Sequence, residues 1–290
     1  MEKEEKELSK RVSGPIKNVN GLSTEKKRRR RTDHELATEI EEGACKLIEK
    51  YGFPGLTVRA LVQETDIDPA LFYRRFSNIE SFIYQFVRRY DYWLNDYIEA
   101  YDGDICSREG YRFILQNLFK ELGKSKIMRQ LLRWEVGFAN EITHLTANAR
   151  ELHTQPLVRM YVKKFPHMPV DIGAISSILM GGIYYVVIHG RLSPFARIDL
   201  SKKKGRQMTQ DAINLFVDLL FDRLEENNKL AEAARKMKDD GMSEELILKY
   251  TGFTEEQYML KEGEGVLTDL DNLRFTGSYF EDLYEDDEID

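Results

Sequence analysis

Cysteine is nearly absent from this 290-residue chain: Cys45 and Cys106 are the only two. Two thiols cannot build a disulfide framework, so a reducing cytoplasm and a core held by apolar burial are the simple expectation. Catalytic signatures are missing too. The sequence has no His-Glu-x-x-His, no paired Cys-x-x-Cys, no P-loop and no Gly-x-Ser-x-Gly. One Glu-x-x-His, Glu141 with His144, stands alone, whereas a di-iron bundle needs two such pairs and two further carboxylates. No catalytic residue, metal or cofactor is therefore expected. Charged residues open the chain and no apolar segment follows them, so no signal peptide is expected. Sustained strand alternation and internal repeats are lacking as well. Residues 172–188, IGAISSILMGGIYYVVI, carry no charge. Seventeen residues is the lower limit for crossing a membrane and no second such run exists, so a helix buried on all sides is the preferred reading.

What is present is apolar content of 42% and aromatic content of 11%, enough for one large domain or two with a real core. The net charge of −7 is unevenly spread. Residues 1–31 carry 11 basic and 5 acidic side chains, residues 222–290 carry 8 and 21, and the stretch between is neutral. Overall acidity argues against generic coating of nucleic acid but leaves room for a local basic arm. The run Lys26-Lys27-Arg28-Arg29-Arg30-Arg31 enters the first helix directly. A solvated charge run is the bland account of it. Its position suggests an arm that reaches phosphates or the minor groove.

The stretch Leu56–Glu80, LTVRALVQETDIDPALFYRRFSNIE, is the most informative. Thr32 with Glu35 caps a lead-in helix whose stripe is Leu36, Ile40, Ala44, Leu47 and Tyr51, stopped by Gly52. Thr57 caps a short second helix, with Leu56 and Leu61 as a staple across it. Thr65-Asp66-Ile67 is a turn. Asp68 is the next N-cap, Pro69 takes the first helical position, and Phe72 and Phe76 point inward together. Ser77 and Glu80 form a capping-box pair opening a long helix that runs to about Tyr101. Two short helices about a tight turn are the geometry that lays a recognition helix in the DNA major groove.

From about Thr32 to about Tyr90 these residues resemble the DNA-binding head of the tetracycline-repressor (TetR) family of bacterial regulators. The resemblance includes LIEKYGFPGLTVRAL and YRRFSNIESF. It implies an all-α fold: a three-helix helix-turn-helix head, then a helical ligand-binding and dimerisation body. It implies phosphate contacts from Thr57 and Tyr73, with Arg59, Arg74 and Arg75 adding charge. The reading surface would be Asp68, Pro69, Ala70 and Leu71, which is poor in hydrogen-bond donors and suited to thymine methyls and indirect readout. Two positions depart from the family. Asp66 stands where the turn commonly has Gly, and Ile79 where a Lys commonly meets phosphate. Residues 32–80 hold 5 basic and 10 acidic side chains, so DNA affinity should lean on Arg28, Arg29, Arg30 and Arg31.

The body reads as helices over 106–122, 125–145, 147–165, 169–191 and 206–228. By resemblance, the last two (about 169–191 and 206–225) would form a homodimer interface, with the stripe Ile213, Phe216, Val217, Leu220 and Leu224 facing the partner helix. Aromatic and Met side chains in the body suggest a cavity for a small effector, lined by Trp134, beside Glu135, and by Phe138, Tyr184 and His189, although most such residues are ordinary core. Domain boundaries follow: 1–31 disordered basic arm, 32–78 helix-turn-helix domain, 79–228 ligand-binding and dimerisation domain, 229–262 helical hairpin extension, 263–290 acidic tail. The hairpin could be a second helix-turn-helix, but its acidity opposes phosphate contact. A solvated tail is the plain reading of 263–290, docking on the arm or a partner the sharper one.

The expected function is a cytoplasmic, homodimeric repressor that binds a near-palindromic duplex and is released by a small molecule, with no membrane partner. The alternative is a helical interaction protein that has lost specific DNA reading and acts through its acidic C-terminal extension.

Overall fold

The computed structural model describes residues 32–90, 95–168 and 170–261, and all of its regular structure is helical. Arg28–Arg31, Pro169 and the acidic tail lie outside the described residues. The chain divides into two compact units, one ending at Thr38 and one starting at Glu39.

Local capping sets the first helices. Helix α1 spans Asp33–Tyr51. The Glu35 N–H donates to Thr32 Oγ1 at 3.1 Å and the Thr32 N–H to Glu35 Oε2 at 2.8 Å, the reciprocal box expected. Leu36, Ile40, Ala44, Leu47 and Ile48 are buried. Tyr51, expected on that stripe, is 57% exposed. The helix stops there, and Gly52, at φ 73°, turns the chain away into a 3₁₀ turn, Phe53–Gly55. Helices α2 (Val58–Thr65), α3 (Pro69–Arg75) and α4 (Ile79–Val87) follow.

Two expectations fail around α4. Its cap is Asn78, whose side chain accepts from the Ser81 N–H at 2.7 Å, not the Ser77–Glu80 pair. Nor does the helix run on to Tyr101: Arg88–Tyr90 tightens to a 3₁₀ turn, and α5 is only Asn95–Glu99. Arg89 supplies a physical reason. Its Nε donates to the Phe86 carbonyl at 3.1 Å, competing for the acceptor that helix continuation would use, while its two terminal nitrogens hold Glu41 at 2.9 and 3.1 Å.

The body consists of α6 (Arg108–Lys124), α7 (Lys126–Gly137), α8 (Glu141–Lys164), α9 (Ile172–His189) and α10 (Lys203–Asp239). The expected break near residue 146 falls instead at 138–140. Asn140 makes a capping box with Thr143 there, a signal present in the sequence but weaker to the eye than the apolar run around it. Helix α10 is 37 residues long and crosses the expected boundary at 228 without interruption. Its last turns, with α11 (Glu244–Thr251) and α12 (Glu255–Met259), form a separate small core of Ala231, Ala234, Ile247, Phe253 and Tyr258. His167 anchors this extension: its Nδ1 lies 3.1 Å from the Gln257 carbonyl, and burial holds its pKa below the usual value.

Helix α6 lies against both α9 and α10. Arg108 on α6 reaches Asp222 at 2.7 Å and Glu225 at 2.8 Å on α10, and Arg112 joins them at Asp218. Buried Arg129 donates to the Leu122 and Gly123 carbonyls that end α6; burial and the neighbouring Arg191 and Arg133 lower its pKa to about 10. Both cysteines are free thiols, and burial with nearby Asp104 pushes Cys106 up to about 11.

Helix α9 corrects the expectation of burial on all sides. Only 17% of it is buried within the protomer, and Ile178 and Tyr185 are 76% and 52% exposed. Among the described residues it is the one helix long and apolar enough to cross a membrane. Its open stripe is Ala174, Ser177, Ile178, Gly181, Gly182 and Tyr185, a set that recurs at three- and four-residue spacing. On α10 the stripe expected to face a partner is mostly core. Ile213, Val217, Leu220 and Leu224 are buried in the protomer, and only Phe216 is open. The outer stripe is Met208, Ala212, Leu215, Phe216 and Leu219. An apolar helix with two greasy faces does not reveal by period alone which of them faces its own chain.

Gly43 in α1 meets α2 at close range. A Cβ there would stand 2.3 Å from Thr65 Cγ2, and Thr65 is held in place by its Oγ1 donating to the Leu61 carbonyl at 2.7 Å. Gly43→Ala should therefore lower stability by about 1 kcal/mol, the crowding penalty of roughly 1–3 kcal/mol outweighing a helix-propensity gain of about 1 kcal/mol. Chemical denaturation measures it. In a Thr65→Ser background, which removes Cγ2, the same change should become neutral or stabilising; equal loss in both backgrounds would refute the contact as the cause.

Candidate nucleic-acid interface and ligand cavity

The two short helices close on each other through local bonds. Thr57 Oγ1 accepts the Ala60 N–H at 3.1 Å and starts α2. Asp66 ends it in the left-handed region, at φ 51° and ψ 36°, so the position that the family commonly gives to Gly is served by an Asp. Asp68 Oδ1 then accepts the Ala70 N–H at 2.8 Å, and Pro69 sits in the first turn of α3. Ile67, Phe72 and Phe76 are buried beneath. Phe72, Phe76 and Phe82 pack as a ring cluster with centroids 4.9–5.9 Å apart.

That inner anchoring decides what α3 shows outward. Asp68, Pro69, Ala70, Tyr73 and Arg74 are exposed and Leu71 is half-buried; on α2 and its cap, Thr57 and Arg59 are exposed. Thr57 still has its hydroxyl proton to give while its oxygen caps α2. The exposed surface is not strongly basic. Lys46 stands 3.6 Å from Glu64, Arg89 is committed to Glu41, and Arg75 lies over the Phe76 ring. Ile79 is half-buried at the start of α4.

A link not seen in the sequence runs from the head to the body. Phe53 stacks on Trp134 of α7 with centroids 4.8 Å apart and planes 7° from parallel, and its other side meets Phe86 at 6.4 Å. The two rings are too far apart in sequence for any local pattern to pair them.

A small, partly open apolar cavity of about 40 Å³ lies among α6, α8 and α9, with Tyr111, Thr154, Val158, Tyr161, Ser176 and Met180 on its walls. Tyr111 and Ser176 share a hydrogen bond of 2.9 Å, and the Tyr161 hydroxyl donates to the Ile105 carbonyl at 2.5 Å. The four residues expected to line a pocket are not brought together there. Trp134 is spent on the Phe53 stack, and Phe138 is 54% exposed just past α7. His189 sits between Tyr185 at 5.3 Å and Phe195 at 5.1 Å, and Tyr184 is one turn beyond Met180. Which aromatics face a cavity depends on how α6, α8 and α9 cross, and that is not written in any one helix. A wider, open cleft of about 580 Å³ separates the body from the extension, between Lys164, His167, Glu232 and Arg235. Among the described residues no group of three or more His, Cys, Asp or Glu is placed to hold a metal ion.

Residues 40–83 match the model of the bacterial regulatory proteins, tetR family. No curated protein matches the chain. A solved structure described as a TetR family protein from Vibrio parahaemolyticus aligns with 61% of this chain and 95% of its own, at 18% identity and a TM-score of 0.46.

Proposed function

We propose that this chain, whose residues 40–83 match the model of the bacterial regulatory proteins, tetR family, is a DNA-binding transcriptional regulator: a homodimeric repressor released by a small molecule. Each subunit lays α3 in one major groove. Thr57 and Tyr73 hold phosphates, with Arg59 and Arg74 nearby, while Asp68, Pro69, Ala70 and Leu71 meet base edges. The arm Arg28–Arg31 supplies the charge that α3 lacks. Domains are taken as 32–78 for DNA, 79–228 for ligand and dimer, and 229–262 for an extension that shares its first helix with the body. Such a regulator works in the cytoplasm, where the operator is.

The observation that carries the DNA reading is the α2–turn–α3 unit: Asp66 turns it, Asp68 caps it, and the Phe72–Phe76 pair leaves the outer side of α3 open. The dimer reading rests on the open stripes of α9 and α10. The effector reading rests on the small apolar cavity among α6, α8 and α9. The excess of acidic over basic residues in 32–80 favours the second reading, an interaction protein that no longer reads sequence. A random-duplex selection with the full-length protein at near-physiological salt separates them. An enriched near-palindrome is expected; no enrichment from folded, dimeric protein would sink the unliganded repressor.

A further inference from the structure

The small extension repeats, position for position, the frame of the α2–turn–α3 unit. Helix α11 is eight residues long, as α2 is. Each stops on a left-handed residue, Gly252 at φ 77° and Asp66 at φ 51°. One buried apolar residue follows, Phe253 or Ile67, and then the cap of the next helix, Thr254 or Asp68. Inside, Ile247 stands where Leu61 does and Tyr258 where Phe72 does, all four at most 1% exposed. Thr251 Oγ1 donates to the Ile247 carbonyl at 2.8 Å, and Thr65 Oγ1 to the Leu61 carbonyl at 2.7 Å. Helix α12 has five residues to the seven of α3. Two short helices about a tight, left-handed turn are again a helix-turn-helix.

What differs is the outside. Where the head has Thr57, Arg59, Pro69, Ala70 and Tyr73, the extension has Ser243, Glu245, Glu255, Glu256 and Met259. Glu255 is paired with Lys238, whereas Glu245 and Glu256 have no cationic partner among the described residues. Residues 239–259 carry 6 acidic side chains and 1 basic one, so a phosphate backbone is repelled. The outer side of α11, opposite Ile247, presents Leu246 and Tyr250 one turn apart, 41% and 63% exposed, with Glu245 beside them. The extension has closed its own core without these two side chains.

An apolar pair one helical turn apart suits the apolar stripe of another helix, and the surrounding carboxylates suit Lys and Arg along its edges. Two other occupants have the wrong sign. A second copy would set acid against acid, and the chain's own tail holds 11 acidic residues and 1 basic one over 262–290. We propose that the extension is a second helix-turn-helix turned from DNA to protein, and that the Leu246–Tyr250 face of α11, with Glu245 beside it and Glu256 on α12, docks a basic amphipathic helix of a partner protein. This holds whether or not the head reads DNA.

The probe is a short blocked peptide of Lys and Leu, with Leu at three- and four-residue spacing. It is titrated into the full-length protein by fluorescence anisotropy and located by NMR. It should shift resonances of α11 and α12, and exchanging its Leu for Ser or its Lys for Glu should weaken it at least about tenfold. Leu246→Ser with Tyr250→Ser keeps every charge, the acidic tail included, and should also weaken binding at least about tenfold. Glu245→Lys with Glu256→Lys should do the same by charge. All four side chains are exposed, so circular dichroism should stay unchanged. Equal binding of the Leu and Ser peptides, or binding that ignores the serine variant, would mean attraction by charge alone and overturns the docking face. Shifts in α11 and α12 caused by duplex DNA in place of the peptide would make the extension a second DNA reader and overturn it too. So would the same shifts on deleting residues 1–31, which would make this chain's own arm the occupant. Operator affinity is measured on the same protein: peptide binding without operator binding would end the repressor reading and leave the docking face standing.

Discussion

Replacing Gly181 and Gly182 together by Leu should convert the protein from dimer to monomer at micromolar concentration and remove operator binding, while leaving helix content unchanged. The reasoning begins with what these two glycines cost. A glycine inside a helix is about 1 kcal/mol worse than alanine, and α9 carries two in succession near its middle. Within the protomer nothing compensates. A Cβ built on either position meets no atom within 4 Å. This differs from Gly43, where the neighbouring helix itself forbids a side chain. At 181 and 182 the missing side chains leave room for something outside the protomer, and the surrounding stripe says what kind of surface that is. Ile178 is 76% exposed on the same face, and Leu215, Phe216 and Leu219 on α10 are 55–59% exposed. Small residues beside large apolar ones allow two helices to approach closely and interdigitate.

A second copy of the chain is the occupant proposed for this face. Two leucines at the point of closest approach would hold the helices apart, and a dissociation constant raised at least a hundredfold, roughly 3 kcal/mol, is the expected scale. Operator affinity should fall with it, since one head alone reads one half-site. The milder Gly181→Ala and Gly182→Ala variants should stabilise the isolated protomer and weaken the dimer in the same molecule. Analytical ultracentrifugation with denaturation curves reads both effects. Dimers that survive the leucines would show that the open face serves something other than self-association.

How much of the fold and the site is legible in the sequence follows the range of the interactions. The Thr32–Glu35 box, the Thr57 and Asp68 caps and the inward Phe72–Phe76 pair each span at most four residues, and sequence spacing suffices to place them. Capping misses by a single residue at Asn78, because Ser77 and Asn78 are adjacent and both are good caps. Longer-range features are not legible. The Phe53–Trp134 stack, the cavity among α6, α8 and α9 and the choice of which α10 face turns outward all depend on how helices cross. The 3₁₀ turn at Arg88–Tyr90 belongs to the same class, since it answers to an ion pair with Glu41 on another helix. Periodicity says that a helix is amphipathic; it does not say what lies opposite.

Deleting residues 1–31 should weaken operator binding by about ten- to a hundredfold and flatten its salt dependence, with dimerisation untouched. The charge count motivates this. The folded head offers little cationic surface, with 5 basic against 10 acidic residues over 32–80, and two of the basic ones, Lys46 and Arg75, are occupied by Glu64 and the Phe76 ring. The deleted segment carries 11 basic residues, six of them consecutive at 26–31. Each phosphate neutralised on duplex DNA contributes about 0.9 to the slope of log K against log salt. If three to five of the six reach phosphates, the slope should fall by about 3 to 5 when they are removed. The loss should be nearly uniform across operator variants, because phosphates carry no sequence information, so base preferences set by α3 should survive in the truncated protein. Fluorescence anisotropy over a salt series, with the operator and a scrambled duplex, measures slope and preference in one experiment. An unchanged slope would mean that the arm does not meet DNA, and the acidic head alone would then be a poor candidate for operator binding.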